Sequence, residues 1–238
     1  MMKVACASDR RSTTGNDSRK AMRLRGTGQD ISQTSARRGT LEFMNDGART
    51  SGDRTPCAMG DDTDLRRLVP ADAEALYAAV DGDRAHLDRW LRWSSRIRSA
   101  SDARSFLDGF TGPADDSGFH AGIWVRGRLA GGVVCWYEDR RNRGAEIGYW
   151  LGREFTGRGL ATRATRLVVE HLFAERRLHR VEMQCGIDNA RSRRVPERLG
   201  FRLEGIRRES HWISDRFVDH CVYGCLVTEW NTDPGADR

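Results

Sequence analysis

Over 238 residues the chain carries 40 Lys and Arg against 34 Asp and Glu, a formal charge of +6, and 38% of its residues are hydrophobic. It holds no apolar run of about 18 residues and no continuous apolar stretch near its N-terminus, so nothing in it reads as a membrane span or a secretory leader. The six cysteines (Cys6, Cys57, Cys135, Cys185, Cys221, Cys225) form no C-x-x-C pair, and four lie in apolar, strand-like runs. Buried, reduced thiols of a cytoplasmic protein fit that pattern better than a disulfide frame or a zinc site.

Residues 1–60 are rich in Ser, Thr, Gly, Arg and Asp, with Leu24, Ile31, Leu41 and Phe43 almost the only large apolar side chains. Such a segment cannot bury enough apolar surface to offset the entropy of ordering it, and it is read as a disordered basic extension. It holds eleven Lys and Arg against six Asp and Glu, so five of the six net positive charges belong to it. It lacks aromatic interleaving, zinc spacing and a long basic run, so a nucleic-acid partner is not expected. Met44 and Met59 precede the first periodic segment, and Met59 is the better alternative start. Lys3 and Lys20 are the only lysines, an Arg preference that fits a GC-rich bacterial genome.

From residue 61 onward one domain is expected. Thr63 to Leu68 reads as a strand, and Pro70 opens a helix with Ala75, Leu76, Ala79 and Val80 on one face. A second amphipathic piece carries Leu87, Trp90, Leu91 and Trp93. Ser101 and Asp102 begin a helix through Phe106 and Phe110, and Pro113 to Ser117 is a loop. Phe119 to Val125 and Leu129 to Tyr137 form a hairpin, Glu138 to Arg143 a charged turn, and Ala145 to Leu151 a third strand. Gly157 and Gly159 lead into a helix with Leu160, Ala164, Leu167, Val168 and Leu172 at spacings of three and four. Arg180 to Cys185 is a strand, Ala190 to Arg198 a short helix, and Phe201 to Ile206 and Phe217 to Leu226 are strands separated by a polar loop. That order describes a mixed α/β (α+β) layer fold rather than repeated βαβ units.

Two segments carry chemistry. In Thr156-Gly157-Arg158-Gly159-Leu160-Ala161 the glycines let backbone N–H groups approach a phosphate at a helix N-terminus. By itself the motif is equally a tight turn. It is neither a P-loop, lacking G-K-[ST], nor a dinucleotide fingerprint. About 30 residues later comes Asn189-Ala190-Arg191-Ser192, followed by Leu199-Gly200-Phe201 and by Glu204-Gly205.

Together these segments resemble the GNAT superfamily of N-acetyltransferases, in its RimJ/RimL-like branch. The first resembles that family's Q/R-x-x-G-x-G/A loop, with Glu154 departing from its first position. The second resembles the N-x-x-S…LGF…EG pattern. Ala145 to Leu151 and the terminal Glu229-Trp230 fit the same branch. The resemblance implies a GNAT fold, a mostly antiparallel sheet of six to seven strands flanked by helices. It also implies an acetyl-CoA cosubstrate between splayed central strands, with no metal. The pyrophosphate would rest on Gly157, Arg158, Gly159, Leu160 and Ala161 with Thr162 nearby, and main-chain groups of Tyr149, Trp150 and Leu151 would pair with the pantetheine. Asn189 would bond a pantetheine amide or cap its helix, and Arg193 or Arg194 would reach a phosphate or stay solvated.

Attack of an amine on a thioester needs a base, and the departing thiolate needs a proton. Glu146 is the expected base, acting directly or through a water; its bland alternative is a solvated strand-end carboxylate. The family's usual tyrosine acid falls on Pro196, which cannot donate, so Ser192 is the expected substitute, or else a helix-start serine bonded to backbone. Pro196 also strips the Ser192 carbonyl of its helical partner, so a kink or a late helix start is expected. Asp219 and Tyr223 resemble residues common in the branch. Trp90, Trp93, Trp136 and a loop from Ser210 to Phe217 with His211 and Trp212 are expected to form the acceptor pocket. The acceptor is a primary amine, on a protein N-terminus or a small molecule. A non-catalytic acyl-CoA-binding module and a succinyl-CoA-dependent transferase are the alternatives, and a homodimer through the last strands is the expected assembly.

Overall fold

The computed structural model describes residues 57–60, 62–110 and 118–230. The expected loop at 113–117 and all of the basic extension up to residue 56 lie outside the described residues. Eight strands form one sheet: β1 (Cys57–Gly60), β2 (Thr63–Arg67), β3 (Phe119–Val125), β4 (Arg128–Asp139), β5 (Gly144–Leu151), β6 (Arg180–Gly186), β7 (Arg202–Ile213) and β8 (Arg216–Leu226). Their order is β1-β2-β3-β4-β5-β6-β8-β7. Every pair is antiparallel except β5 with β6. The helices are α1 (Ala73–Asp81), α2 (Arg84–Leu87), α3 (Ala100–Asp108), α4 (Leu160–Ala174) and α5 (Ala190–Arg198).

The count exceeds the expected six to seven strands because of β1. Its four residues fall within the stretch read as disordered, yet Cys57 pairs with Leu65 and is 3% exposed. The composition of residues 1–60 as a whole hid a local apolar pair, Cys57 and Met59, that closes the edge of the sheet over the core. A second correction concerns the loop from Ser210 to Phe217. There β7 runs on to Ile213 and only Ser214 and Asp215 turn, both at positive φ, before β8 begins. Polar side chains suit an edge strand with solvent on it, which is why that stretch reads as a loop.

The sheet separates two apolar clusters. On one face α4 places Leu160, Ala164, Val168 and Leu172 against Ile147, Val181 and Met183. On the other, the helical layer from α1 to α3 places Leu76, Val80, Ala103 and Leu107 with Trp93, Trp124 and Trp150. Strand alternation explains the split: along β5, Ala145 and Ile147 go to the first cluster while Trp150, an odd number of residues away, goes to the second. The α3 helix begins one residue before the expected Ser101, because Ser99 caps it by accepting from the Asp102 N–H at 3.1 Å.

Candidate active site

The site begins where β5 and β6 part. They pair only from Gly144 with Arg180 to Ile147 with Met183. Beyond that point β5 stays bonded to β4 as far as Leu151 with Gly131, and β6 stays bonded to β8 as far as Gly186 with His220. Each strand is thus held on its outer side, while the inner edges of Gly148–Leu151 and Gln184–Gly186 face each other unpaired. A strand edge without a neighbour presents N–H and C=O groups to anything extended that lies along it.

After β5 the chain makes a short turn at Arg153–Phe155, fixed by buried Phe155 and by Asp83, which accepts from the Arg153 N–H. Residues 157–159 are exposed, and Gly157 and Gly159 have φ of +80° and +71° with open space where a β-carbon would be. Those angles are strained for any residue with a side chain. Gly159 is the N-cap of α4 and offers no side chain to bond its first turn, so the leading N–H groups have no capping acceptor. That is the arrangement an anion occupies at a helix start. Glu154 bonds Arg128 at 2.6 Å on the neighbouring hairpin, which removes it from this loop's chemistry.

Side chains around the gap fall on two faces. On one, Gln184 donates to Glu146 at 3.1 Å and to Glu182 at 3.3 Å, and its carbonyl oxygen accepts from Arg207 at 3.3 Å. Glu146 and Glu182 are register partners. Burial, and then the Glu182 charge, raise the Glu146 carboxyl above its ordinary value, with Arg207 opposing. The Trp136 indole lies over Gly148, its Nε1 3.2 Å from where a β-carbon would sit, and Trp90 lies 3.9 Å from the equivalent point on Gly186. His220 pairs with Gly186, and its ring lies tilted against that of His211, ring centres 3.8 Å apart. Burial, then His220, and then Arg92 and Arg207 lower the His211 imidazole to about 4, so it is neutral at pH 7.

On the other face, Ser192 lies in the first turn of α5. Its N–H donates to Asn189 Oδ1 at 3.1 Å, and its hydroxyl lies 2.8 Å from the Tyr149 phenol and 3.4 Å from Cys185 Sγ. Tyr149, on the free part of β5, reaches across the opening to α5. Burial raises its phenol well above the ordinary value.

The predicted residues therefore divide. Glu146, Tyr149 and Ser192 lie at the opening, while Gly157, exposed Arg158 and Gly159 form the loop after β5, with Leu160, Ala161 and Thr162 in the first turn of α4. Trp90 and Trp136 flank it. Trp93 does not: it is 8% exposed, stacked on Phe106 at 5.0 Å and edge-on to Trp150 at 5.5 Å, so it belongs to the helical core. The Trp150 side chain is buried in the same cluster, leaving its main chain for the inner edge. Trp212 is 52% exposed and pairs edge-on with Phe217 at the hairpin tip. The side-chain oxygen of Asn189 caps α5. Arg193 donates to Tyr223 at 3.0 Å and to the Ile187 carbonyl, while Arg194 is exposed. Asp219 accepts from the Glu209 N–H at 2.8 Å and holds the irregular step in β7. The expected kink at Pro196 takes another form: α5 starts at Ala190 and runs through Pro196, and Tyr149 supplies the donor that the Ser192 carbonyl lacks. Sequence reading missed Gln184, Glu182, Cys185 and Arg207, whose only signal is their position next to the strand ends. Among the described residues no group of three or more His, Cys, Asp and Glu is placed to hold a metal ion, and no helix is long and apolar enough to cross a membrane.

Residues 63–202 match the acetyltransferase (GNAT) domain family. The chain is 35% identical to YdaF of Bacillus subtilis (strain 168) over 176 residues, spanning 73% of this chain and 96% of that one. It is 25% identical to the ribosomal-protein-serine acetyltransferase of Escherichia coli (strain K12), spanning 69% and 92%. Among solved structures, Mycobacterium smegmatis RimJ in complex with CoA-disulfide is similar at a TM-score of 0.66 and 26% identity, over 72% of this chain and 85% of that one.

Proposed function

The chain belongs to the GNAT acetyltransferase family and is an N-acetyltransferase of its RimJ/RimL-like kind; from that premise we propose that it moves an acetyl group from acetyl-CoA to the N-terminal amine of a protein. The observation that carries this reading is the parting of β5 from β6 with a carboxylate on one face and a hydroxyl on the other. The pyrophosphate takes the free N–H groups after Gly159, and the pantetheine runs along the inner edge of Tyr149 to Leu151. Glu146 takes the amine proton, directly or through a water; its raised pKa makes it a stronger base than an ordinary carboxylate. The amine lone pair forms the C–N bond, the C–S pair leaves on sulfur, and Ser192 gives that sulfur its proton.

A protein N-terminus is favoured over a small amine by the residues of the acceptor face. That face carries Trp136, Trp90 and the His211–His220 pair, and its paired carboxylates suit an ammonium group. The names of the relatives point the same way. The acetyltransferase domain is taken to begin by Cys57. A homodimer through β7 is the proposed assembly, since this edge strand exposes Leu203 and Ile206 at 51% each. The five buried, unpaired cysteines among the described residues fit a cytoplasmic enzyme.

Thiol release from acetyl-CoA against ribosomal-protein N-terminal peptides and small amines tests the reading. Turnover with a peptide, reduced tenfold or more in Glu146→Gln, is the expected result. Turnover with small amines alone overturns the acceptor, and no turnover with any amine overturns the catalytic assignment of these residues.

A further inference from the structure

Pro196 sits seven residues into α5 and has no N–H, so the carbonyl of Ser192, four residues earlier, has no helical donor. Tyr149 fills that vacancy from another element. Its hydroxyl is 2.5 Å from the Ser192 carbonyl oxygen and 2.8 Å from the Ser192 hydroxyl. A phenol has one proton, and a carbonyl can only accept. The Tyr149 proton is therefore committed to the carbonyl, and its oxygen can only accept from Ser192 Oγ. One side chain from the free end of β5 thus holds both oxygens of Ser192, while Asn189 holds its nitrogen.

We propose that Tyr149 is a positioning residue for the transfer, fixing the Ser192 hydroxyl in its protonated form at the mouth of the gap; this rests on the reading of Ser192 as the acid. The sequence change that removes an acid from position 196 also removes the N–H of position 196, and the same tyrosine answers both losses. In the resting site the Ser192 proton lies between two neutral acceptors, the phenol oxygen and the Cys185 sulfur at 3.4 Å. A thiolate released in the gap is a stronger acceptor than either, and the proton passes to it as the C–S bond breaks. The amine proton leaves through Glu146 to solvent, and Ser192 recovers its own from solvent, so acetyl-CoA and amine give amide and free CoA thiol. Because the phenol proton is committed to the Ser192 carbonyl, Tyr149 orients the donor and does not replace it.

The alternative is that Tyr149 only satisfies a stranded carbonyl. Pro196→Ala restores an N–H there, so it removes the structural need for Tyr149 and leaves the need for positioning. Tyr149→Phe, Pro196→Ala, the double variant and Ser192→Ala are compared by melting temperature and by kcat and KM for acetyl-CoA. Tyr149→Phe is expected to melt lower than the wild type and the double variant to regain that loss. In the double variant kcat is expected to stay at least tenfold below that of Pro196→Ala, with KM within about threefold. A double variant whose kcat is within twofold of Pro196→Ala overturns the positioning role and leaves Tyr149 structural. Ser192→Ala with unchanged kcat overturns the acid assignment itself, whatever Tyr149 does, which keeps the two failures apart.

Discussion

Replacing Gly159 by alanine separates backbone strain from ligand binding. Gly159 has φ +71° and ψ 3°, and a β-carbon there meets nothing within 4 Å. The cost is conformational, about 1–2 kcal/mol for an L-residue held in the left-handed region. In a domain of this size about 1 kcal/mol lowers Tm by roughly 2–4 °C. Relaxing the strain would turn the peptide after residue 159 and re-aim the free N–H groups of the first turn of α4. Gly60 is the control: its φ is +84°, it also has open space, and three strands separate its sheet edge from β5. Melting curves and calorimetric titration with CoA are measured on both variants. Both are expected to melt lower by a similar amount, and Gly159→Ala alone to bind CoA at least tenfold more weakly, which is about 1.4 kcal/mol. If Gly159→Ala binds CoA within twofold of the wild type, or Gly60→Ala weakens it equally, the anion site is not at this helix start.

Three further outcomes follow from burial and charge. Glu146→Gln is expected to lower kcat tenfold or more without loss of stability at pH 7–8. A carboxyl whose folded pKa is raised favours folding below its unfolded pKa and loses that contribution as pH rises through the folded one, so removing its charge does not destabilise; a Tm drop in that variant at pH 8 would contradict the burial argument. His120 is fully buried among Trp93, Phe106, Phe110 and Trp150, and burial pushes its imidazole down to about 3. The unfolded chain therefore binds the proton first, and stability falls as pH drops below about 6.5. From pH 6.5 to 4.5 this amounts to about 2 kcal/mol; His120→Gln should flatten the Tm–pH profile over that window, and an unchanged slope would place the acid sensitivity elsewhere. A fragment of residues 61–238 should melt roughly 4–8 °C below one of 54–238, because losing β1 removes about 2 kcal/mol of burial at Cys57 and Met59. Equal Tm values would show that β1 adds nothing to the fold.

The glycines at a helix start, the apolar strand that carries Glu146 and the helix-start serine were legible in sequence because each is a local pattern, whereas the parting of the strands and the roles given to Glu146 and Ser192 came with the family resemblance. What was not legible needed the third dimension. Trp93 and Trp90 are three residues apart on similar ground, yet one is stacked inside the helical layer and the other faces the end of β6, and no periodicity distinguishes them. β1 was hidden by the composition around it. The end of β7, residues 210–213, was hidden by the polar side chains of an edge. The Tyr149 side chain carried no signal at all, since its partner is 43 residues away and the cue lay in what Pro196 cannot do.

The two faces of the gap follow from the same alternation that builds the sheet. Glu146 and Tyr149 are three residues apart on one strand, an odd interval, so their side chains leave opposite sides of β5. In the proposed reaction Glu146 would therefore serve the acceptor from one side, and the serine held by Tyr149 would serve the departing thiol on the other. Strand β4 adds one irregularity that this division needs. Its register shifts between Cys135, opposite Ile147, and Tyr137, opposite Glu146. Trp136 is the extra residue at that step, and a bulge of this kind re-aims a side chain without breaking the ladder on either side. The indole is carried over Gly148, the first residue of β5 past the split. In a regular β4 with Trp136 deleted, Tyr137 would follow Cys135 in unbroken register, Gly148 would lose the indole over it, and that face of the gap would open to water. The proposed site therefore calls on the bulge as it does on the glycine loop. Deleting Trp136 should raise KM for the amine far more than KM for acetyl-CoA, whereas an equal rise in both would mean that the bulge serves the sheet alone.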